Sequence, residues 1–332
     1  MSDLAAATET TTEPDVLLER HRGELTGYCY RMLGSASEAE DAVQDTLLRA
    51  WRAFDRFEGR SALRSWLYRI ATNVCLDMLN GRQRRALPMD LGPATPVEAP
   101  NFAQLPEATW ITPIPDGRVV SDDADPADLA VARESLRLAL IAALQHLPPR
   151  QRAVLILRDV LRWKATEVAQ LLDTSDASVN SALQRARATL ADSDLSATES
   201  FEPVDDAQRD LLSRYVDAFE RYDVDSLTSL LHEDATQSMP PYEMWLQGRD
   251  EIFRWWTGPG IGCSGSRLVP TVANGRPAFG QYKPSGPGGR HEPWALQVLE
   301  IRDGQIVEFG FFLDTEQLFP IFGLPQHPDG DE

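Results

Sequence analysis

Cysteine is scarce in this sequence of 332 residues: only Cys29, Cys75 and Cys263, far apart and odd in number. That spacing argues against a disulfide framework or a clustered zinc site, so no metal is expected and the three should pack as small apolar residues. Also missing is any apolar run near the ~20 residues that cross a bilayer. The first dozen residues, MSDLAAATETTT, lack the basic start of a secretion signal. A cytoplasmic chain with no membrane partner is therefore expected. Positive charge is in deficit as well, with 32 Lys and Arg against 51 Asp and Glu, a net charge of -19. A DNA-binding protein acting alone needs clustered Lys and Arg to neutralise phosphate. Here basic residues gather at Arg82, Arg84 and Arg85 and again at Arg185 and Arg187, while acids fill Asp116 to Asp128 and the C-terminal half. The distribution leaves DNA open as a ligand but implies weak binding unless a larger partner supplies most of the affinity.

Proline is absent between Pro14 and Pro88, and over Val16 to about Arg85 apolar positions recur at three- and four-residue spacing, which predicts a helical domain over residues 15–86. Seven prolines from Pro88 to Pro115 then rule out continuous helix or strand, so residues 87–126 read as a Pro-rich acidic linker, with Phe102, Trp110 and Ile111 suggesting that parts of it dock. Helical periodicity resumes over residues 127–192, a second helical domain. After an acidic stretch, a helix from Ala207 to Tyr222 precedes alternating segments such as WALQVLEIRDGQIVEFGFFLD, in which Asp303-Gly304 marks a hairpin. Residues 205–325 are therefore expected to form an α+β domain.

In the second domain, Lys164 to Leu172 and Asp176 to Leu190 read as the two helices of a helix-turn-helix, with Val168, Leu171, Val179, Leu183 and Ala186 inward. Ser178, Asn180, Ser181, Gln184, Arg185 and Arg187 are left outward, side chains suited to base edges and phosphates in a major groove. A solvated helix face would look the same. In the first domain, Leu47, Leu48, Trp51 and Phe54 supply the apolar side of one helix. The segment FEGRS then leads into a helix whose Trp66, Leu67, Ile70 and Val74 can face the core, leaving Arg60, Arg64, Arg69 and Asn73 free. Aromatics and arginines around a loop suit capture of a single strand, where an extruded base is stacked and its backbone neutralised. Trp66 and Tyr68 fit core positions equally well.

The order EDAVQDTLLRAW, FEGRSALRSWLYRIATN, GRQRR, LPPRQRAVLILRDV, SVNSALQRARATL resembles the region 2 and region 4 domains of extracytoplasmic-function (ECF) sigma factors, over residues 15–192. The resemblance implies two all-α domains and a partnership with core RNA polymerase, through its largest and second-largest subunits, and with promoter DNA. It implies that Asp41, Gln44, Asp45, Leu48 and Trp51 touch polymerase, and that Arg60, Ser61, Arg64, Trp66, Arg69, Asn73 and Asp77 serve the minus-ten element. Ser178, Asn180, Ser181, Gln184, Arg185 and Arg187 would serve the minus-thirty-five element. Asp77 departs from the pattern, since several members place a neutral amide there. The acids Asp122, Asp123 and Asp125 could lie along a path later used by RNA.

Residues 205–325 resemble the SnoaL-like branch of the nuclear transport factor 2-like fold, a curved sheet with helices forming a cone around a pocket. SMPPYEMWLQG, ANGRPAFGQY, LDTEQLFPIFGLP and WITPIPD resemble the subgroup known as sigma factor G type. His232, Asp234, Tyr242, Trp245, Trp255, Trp256 and Asp314 are the candidate pocket residues, with core packing as their ordinary role. His232 and Asp234 lie close in sequence at an expected helix end, and nothing else in the sequence points to catalysis, so a non-enzymatic regulatory module without a cofactor is expected. An anti-sigma protein or a small-molecule regulator stays open, as do a duplex-binding repressor or activator and an enzyme carried on helical adaptors.

Overall fold

A computed structural model describes residues 14–57, 59, 62–119, 133–191 and 205–328. Four helices form the first body: α1 (Pro14–Glu19), α2 (Arg22–Leu33), α3 (Ala36–Ala53) and α4 (Leu63–Leu79). Gly34 ends α2 in the left-handed conformation at φ 72°, and Ser35, accepting a hydrogen bond from the Glu38 amide, starts α3. The second body contains α5 (Leu138–Gln145), α6 (Pro149–Leu155) continuing as one π turn, α7 (Ala165–Leu171) and α8 (Asp176–Ala191). Pro149 sits in the first turn of α6, where its missing N–H costs nothing.

These two bodies share a single hydrophobic core. Two buried arginines cross between them: Arg31 of α2 donates to the Ser135 hydroxyl at 2.6 Å, and Arg152 of α6 donates to the Met32 carbonyl and to Gln145. Burial lowers both guanidinium pKa values to about 10, so each stays charged at neutral pH. The Tyr68 ring of α4 packs 5.0 Å from the Trp163 ring ahead of α7.

The C-terminal domain carries α9 (Asp206–Arg221), α10 (Val224–Ser229), α11 (Arg249–Thr257), α12 (Thr315–Phe322) and a six-stranded sheet. Its strands are β1 (Leu231–Ser238), β2 (Trp245–Gln247), β3 (Arg267–Ala273), β4 (Arg276–Lys283), β5 (Glu292–Arg302) and β6 (Gln305–Phe312), in the order β2-β1-β6-β5-β4-β3. Only β1 and β6 run parallel. Asp303 and Gly304, both at positive φ, close the β5–β6 hairpin as the Asp-Gly pair predicts. Because side chains alternate, one sheet face packs Phe279, Leu299, Phe309 and Phe311 against Tyr215, Trp255 and Trp256 of the helices. The other packs Val298 and Phe312 against Leu318 and Phe319 of α12 and against Leu138 of the second helical body.

Glu308 lies on that second face, directly opposite Glu300. Burial and the charge of Glu300 push its carboxyl up to about 7, with Asp90 adding to the rise and Arg302 and Arg137 opposing it. Glu300 itself is held by Arg137 at 2.5 Å and Arg276 at 2.6 Å. A carboxyl that binds its proton more tightly when folded gives stability that is full below about pH 4.5 and is lost as pH rises through about 7. At about 1.4 kcal/mol for each tenfold change in proton affinity, the loss is at most about 3–4 kcal/mol. Glu308→Gln should therefore match the parent near pH 4.5 and exceed it at pH 8, as urea melts at the two pH values would register.

Candidate nucleic-acid interface and the C-terminal cavity

Helix α8 follows a tight turn in which Asp173 takes φ 50° and Ser175 accepts from the Ser178 amide at 3.2 Å, so the chain reverses within a few residues. Val179, Leu183 and Ala186 are buried beneath it. At about 100° per residue, Arg187, Asn180, Gln184, Ser181, Arg185 and Ser178 then cover one continuous arc of roughly half its circumference. All six are exposed. Arg187, at one edge, is held by both carboxylate oxygens of Asp159 at 2.7 and 2.8 Å, which fixes that guanidinium as an arm of the preceding π turn.

The α4 residues divide. Trp66, Arg69, Asn73 and Asp77 follow one another at helical spacing on one stripe, with Asn73 and Asp77 exposed and Trp66 half-buried 4.9 Å from the Phe57 ring. Arg64 leaves from the opposite side of the helix, against the Tyr68 and Trp163 rings at 5.2 and 5.3 Å and paired with Glu24 at 2.6 Å. Helix geometry separates it from that stripe: two residues before Trp66 is about 200° away. Arg69 donates to the Gln170 carbonyl of α7 at 2.6 Å, so the stripe also meets the second body. Tyr68 is a core residue, its hydroxyl raised by burial. Arg60, Ser61 and the acids of 121–125 lie outside the described residues.

On α3, Asp41, Gln44, Asp45, Leu48 and Trp51 lie along one face. Leu48 and Trp51, expected to help line the apolar side of the helix, are instead 43% and 55% exposed. Val43, Leu47 and Ala50 fill the core, and two large apolar side chains remain largely exposed among the described residues.

The linker residues 86–119 contain nothing longer than single helical turns, yet they dock along their length. Trp245 donates its indole N–H to the Gly92 carbonyl at 2.9 Å, Thr95 donates to the Trp245 carbonyl, and Leu105 to the Pro241 carbonyl. Farther on, the Tyr30 hydroxyl donates to the Thr112 carbonyl, and Ile111 and Ile114 are buried in the helical core.

Inside the C-terminal cone lies a cavity of about 240 Å³ whose walls include Phe219, Trp255, Trp256 and Phe311. Of the sequence-predicted pocket residues, Tyr242, Trp255 and Trp256 line it. His232, Asp234, Trp245 and Asp314 do not. His232 and Asp234 sit on the first half of β1 rather than at a helix end, half-buried and exposed respectively within the stretch where the pairing with β6 shifts register, with the Asp234 amide donating to the His232 ring at 3.2 Å. Trp245 is turned to the linker, and Asp314 caps α12 beside a neighbouring cleft. Gln237 and Lys283, neither singled out by sequence, line the cavity in addition, as does Phe102, one of the linker residues expected to dock. Only the period-2 pattern of β1 could have exposed Gln237, which lies two residues beyond the core residue Ala235. Among the described residues, no group of three or more His, Cys, Asp or Glu side chains is placed to hold a metal ion, and no helix is long and apolar enough to cross a membrane. Cys29 and Cys75 are buried core residues.

Comparison with known proteins gives three family matches: Sigma-70 region 2 over residues 17–85, Sigma-70 region 4 over 137–190 and the SnoaL-like domain over 212–309. The chain is 47% identical over 310 residues to the ECF RNA polymerase sigma factor SigG of Mycobacterium tuberculosis, covering 92% of this chain and 82% of that one. It is 28% identical over 299 residues to SigJ of the same species, covering 87% and 88% of the two chains. The crystal structure of M. tuberculosis SigJ superposes with a TM-score of 0.58 over 94% of this chain and 99% of that one, at 24% identity, which shows a common fold.

Proposed function

From the premise that this chain belongs to the ECF family of RNA polymerase sigma factors, as a subunit that joins core polymerase and directs it to promoters, we propose that the structure is its closed, resting form. The observation that carries this is the shared core of the two helical bodies, in which Arg69 and Tyr68 of α4 are engaged by Gln170 and Trp163. The minus-ten and minus-thirty-five elements lie about 25 base pairs apart, or roughly 85 Å along B-form DNA. A compact body of this helical half's size has a radius of gyration near ~16 Å. One rigid unit of that size does not reach both elements, so the bodies must separate before both can be read.

In the open form α3 would dock on polymerase through Asp41, Gln44, Asp45, Leu48 and Trp51. The stripe Trp66, Arg69, Asn73 and Asp77, with Arg60, Ser61 and a released Arg64, would serve the minus-ten element, and the outer arc of α8 would read the minus-thirty-five element. The C-terminal domain and the linker favour the closed form by clasping both bodies, so the closure needs no second inhibitory protein. A catalytic role for the domain finds no support in the His232 and Asp234 pair, which lies outside the cavity.

Run-off transcription with purified core polymerase, comparing the full chain with residues 1–200, tests this reading: the shorter form should give more transcript at equal concentration. Equal output at equal core affinity would defeat the resting-form reading. Within the same assay Arg185→Ala, which removes an exposed cation of the α8 arc, should weaken promoter binding about 5- to 30-fold. If Arg185 meets phosphate, the loss will be uniform across promoter sequences and the salt dependence will flatten; if it meets a base, discrimination at one position will relax.

A further inference from the structure

We propose that the C-terminal cavity is a receptor site for a one- or two-ring aromatic carboxylate bearing a hydrogen-bond donor, with Phe102 of the linker as its cover. The inference rests on the cavity itself and not on the resting-form reading above.

The deep wall carries the first observation. Gln237 is 2% exposed, and its Oε1 has no hydrogen-bond partner among the described residues. A buried acceptor left unpaired is costly. Its neighbours in the cone do not share that state: Tyr215 donates to Gln297, Gln297 to Gln281 and Gln281 to the Ser266 hydroxyl, all within 3.0 Å. The interior is thus able to satisfy its amides, and Gln237, paired in register with Phe309 across β1 and β6, is the exception. A hydroxyl or N–H on a bound molecule would satisfy it.

Charge supplies the second. Lys283 is the one Asp, Glu, Lys or Arg among the described lining residues, and its Nζ stands 3.7 Å from the centroid of the Trp294 ring. An ammonium with no acid beside it in the lining selects an anion and disfavours a cation. The lining shared with the amide and the lysine is rich in aromatic rings, Phe219, Trp255, Trp256 and Phe311 among them, which favours a flat apolar body. At about 240 Å³ the space falls below the range for drug-sized ligands, roughly 300–1,000 Å³, and fits a small ring system.

Phe102 gives the site its cover. It belongs to the linker, is 52% exposed, and stands edge-on to Tyr242 at 5.6 Å and 6.1 Å from the Trp255 ring. A molecule entering between those rings displaces a segment whose other end is buried against the helical bodies.

The test uses the full-length chain and 4-hydroxycinnamate as probe, followed by calorimetry and tryptophan fluorescence. Saturable one-to-one binding is expected with a Kd of roughly 10–100 µM. Cinnamate, lacking the hydroxyl, should bind about tenfold more weakly, and the methyl ester, lacking the anion, likewise. Lys283→Gln should weaken the acid about tenfold while leaving the ester unchanged, and Gln237→Leu should abolish the preference for the hydroxyl. Phe102→Ala should speed dissociation. The comparison of the three probes on the unaltered chain decides the matter even if Gln237→Leu fails to fold. Failure of 4-hydroxycinnamate, 4-hydroxybenzoate, indole-3-acetate and 2-naphthoate all to bind would overturn the proposal, as would binding indifferent to anion and hydroxyl. Since binding is read directly, its failure is distinct from any failure of the transcription assay.

Discussion

Trp51→Ala is expected to weaken binding to core polymerase roughly 30- to 1000-fold and to leave the thermal stability of the free chain unchanged. Trp51 is 55% exposed and Leu48, one turn before it, 43% exposed, on a helix whose opposite face is fully committed to the core. An amphipathic helix that keeps a tryptophan and a leucine in water forgoes their burial unless a partner supplies it. Tryptophans that become desolvated at the centre of an interface typically cost about 2–4 kcal/mol on truncation, which gives the stated range. The same substitution on an exposed surface changes stability by no more than about 0.5 kcal/mol. Asp45, by contrast, already pairs with Arg49 at 2.7 Å on an exposed face, so Asp45→Ala should have a smaller effect. Competition binding against a fluorescently labelled parent chain measures both. A Trp51→Ala chain that binds core polymerase like the parent would remove α3 as the docking helix.

Most of the helical half was legible because its signals are local. The α8 arc follows from a 3.6-residue period and three buried positions, Val179, Leu183 and Ala186, and the β5–β6 hairpin from one Asp-Gly pair. What escaped depends on contacts far apart in the chain. Nothing near Arg64 in sequence says that its guanidinium will rest on Trp163, and nothing near Trp245 says that its indole will hold Gly92 rather than line a cavity. His232 and Asp234 misled for a related reason: two polar residues close in sequence at an expected helix end suggest a site, whereas the chain there is the start of β1 and neither lines the cavity. Leu48 and Trp51 belong with Leu47 to the apolar side of α3 in the sequence, and hydrophobicity alone does not distinguish a buried face from one reserved for another molecule.

Asn274 is where the three parts of the chain are tied, and its loss should open them. It occupies the β3–β4 hairpin with Gly275, at φ 54°, and is fully buried. Its Oδ1 accepts from the Ile114 amide of the linker at 2.9 Å. Its Nδ2 donates to the Tyr30 hydroxyl of α2 at 2.8 Å and to the Leu136 carbonyl, ahead of α5, at 2.6 Å. Next to it, the Gly275 amide donates to Asp116 at 2.8 Å, and a Cβ on Gly275 would meet the Arg133 carbonyl at 3.0 Å. One carboxamide therefore satisfies groups from the linker and from both helical bodies. Asn274→Gly keeps the left-handed backbone and removes only the side chain, stranding the Ile114 N–H and the Leu136 carbonyl in the interface at about 1–3 kcal/mol each. Asn274→Ala adds about 1 kcal/mol of backbone strain. Local opening of the linker should rise about 30-fold or more in the glycine variant, seen as faster hydrogen exchange over residues 105–119. If the clasp holds the two bodies closed, run-off transcription should rise with it. Unchanged exchange would show that these bonds carry little of the clasp, and faster exchange without more transcript would separate domain docking from control of the sigma bodies.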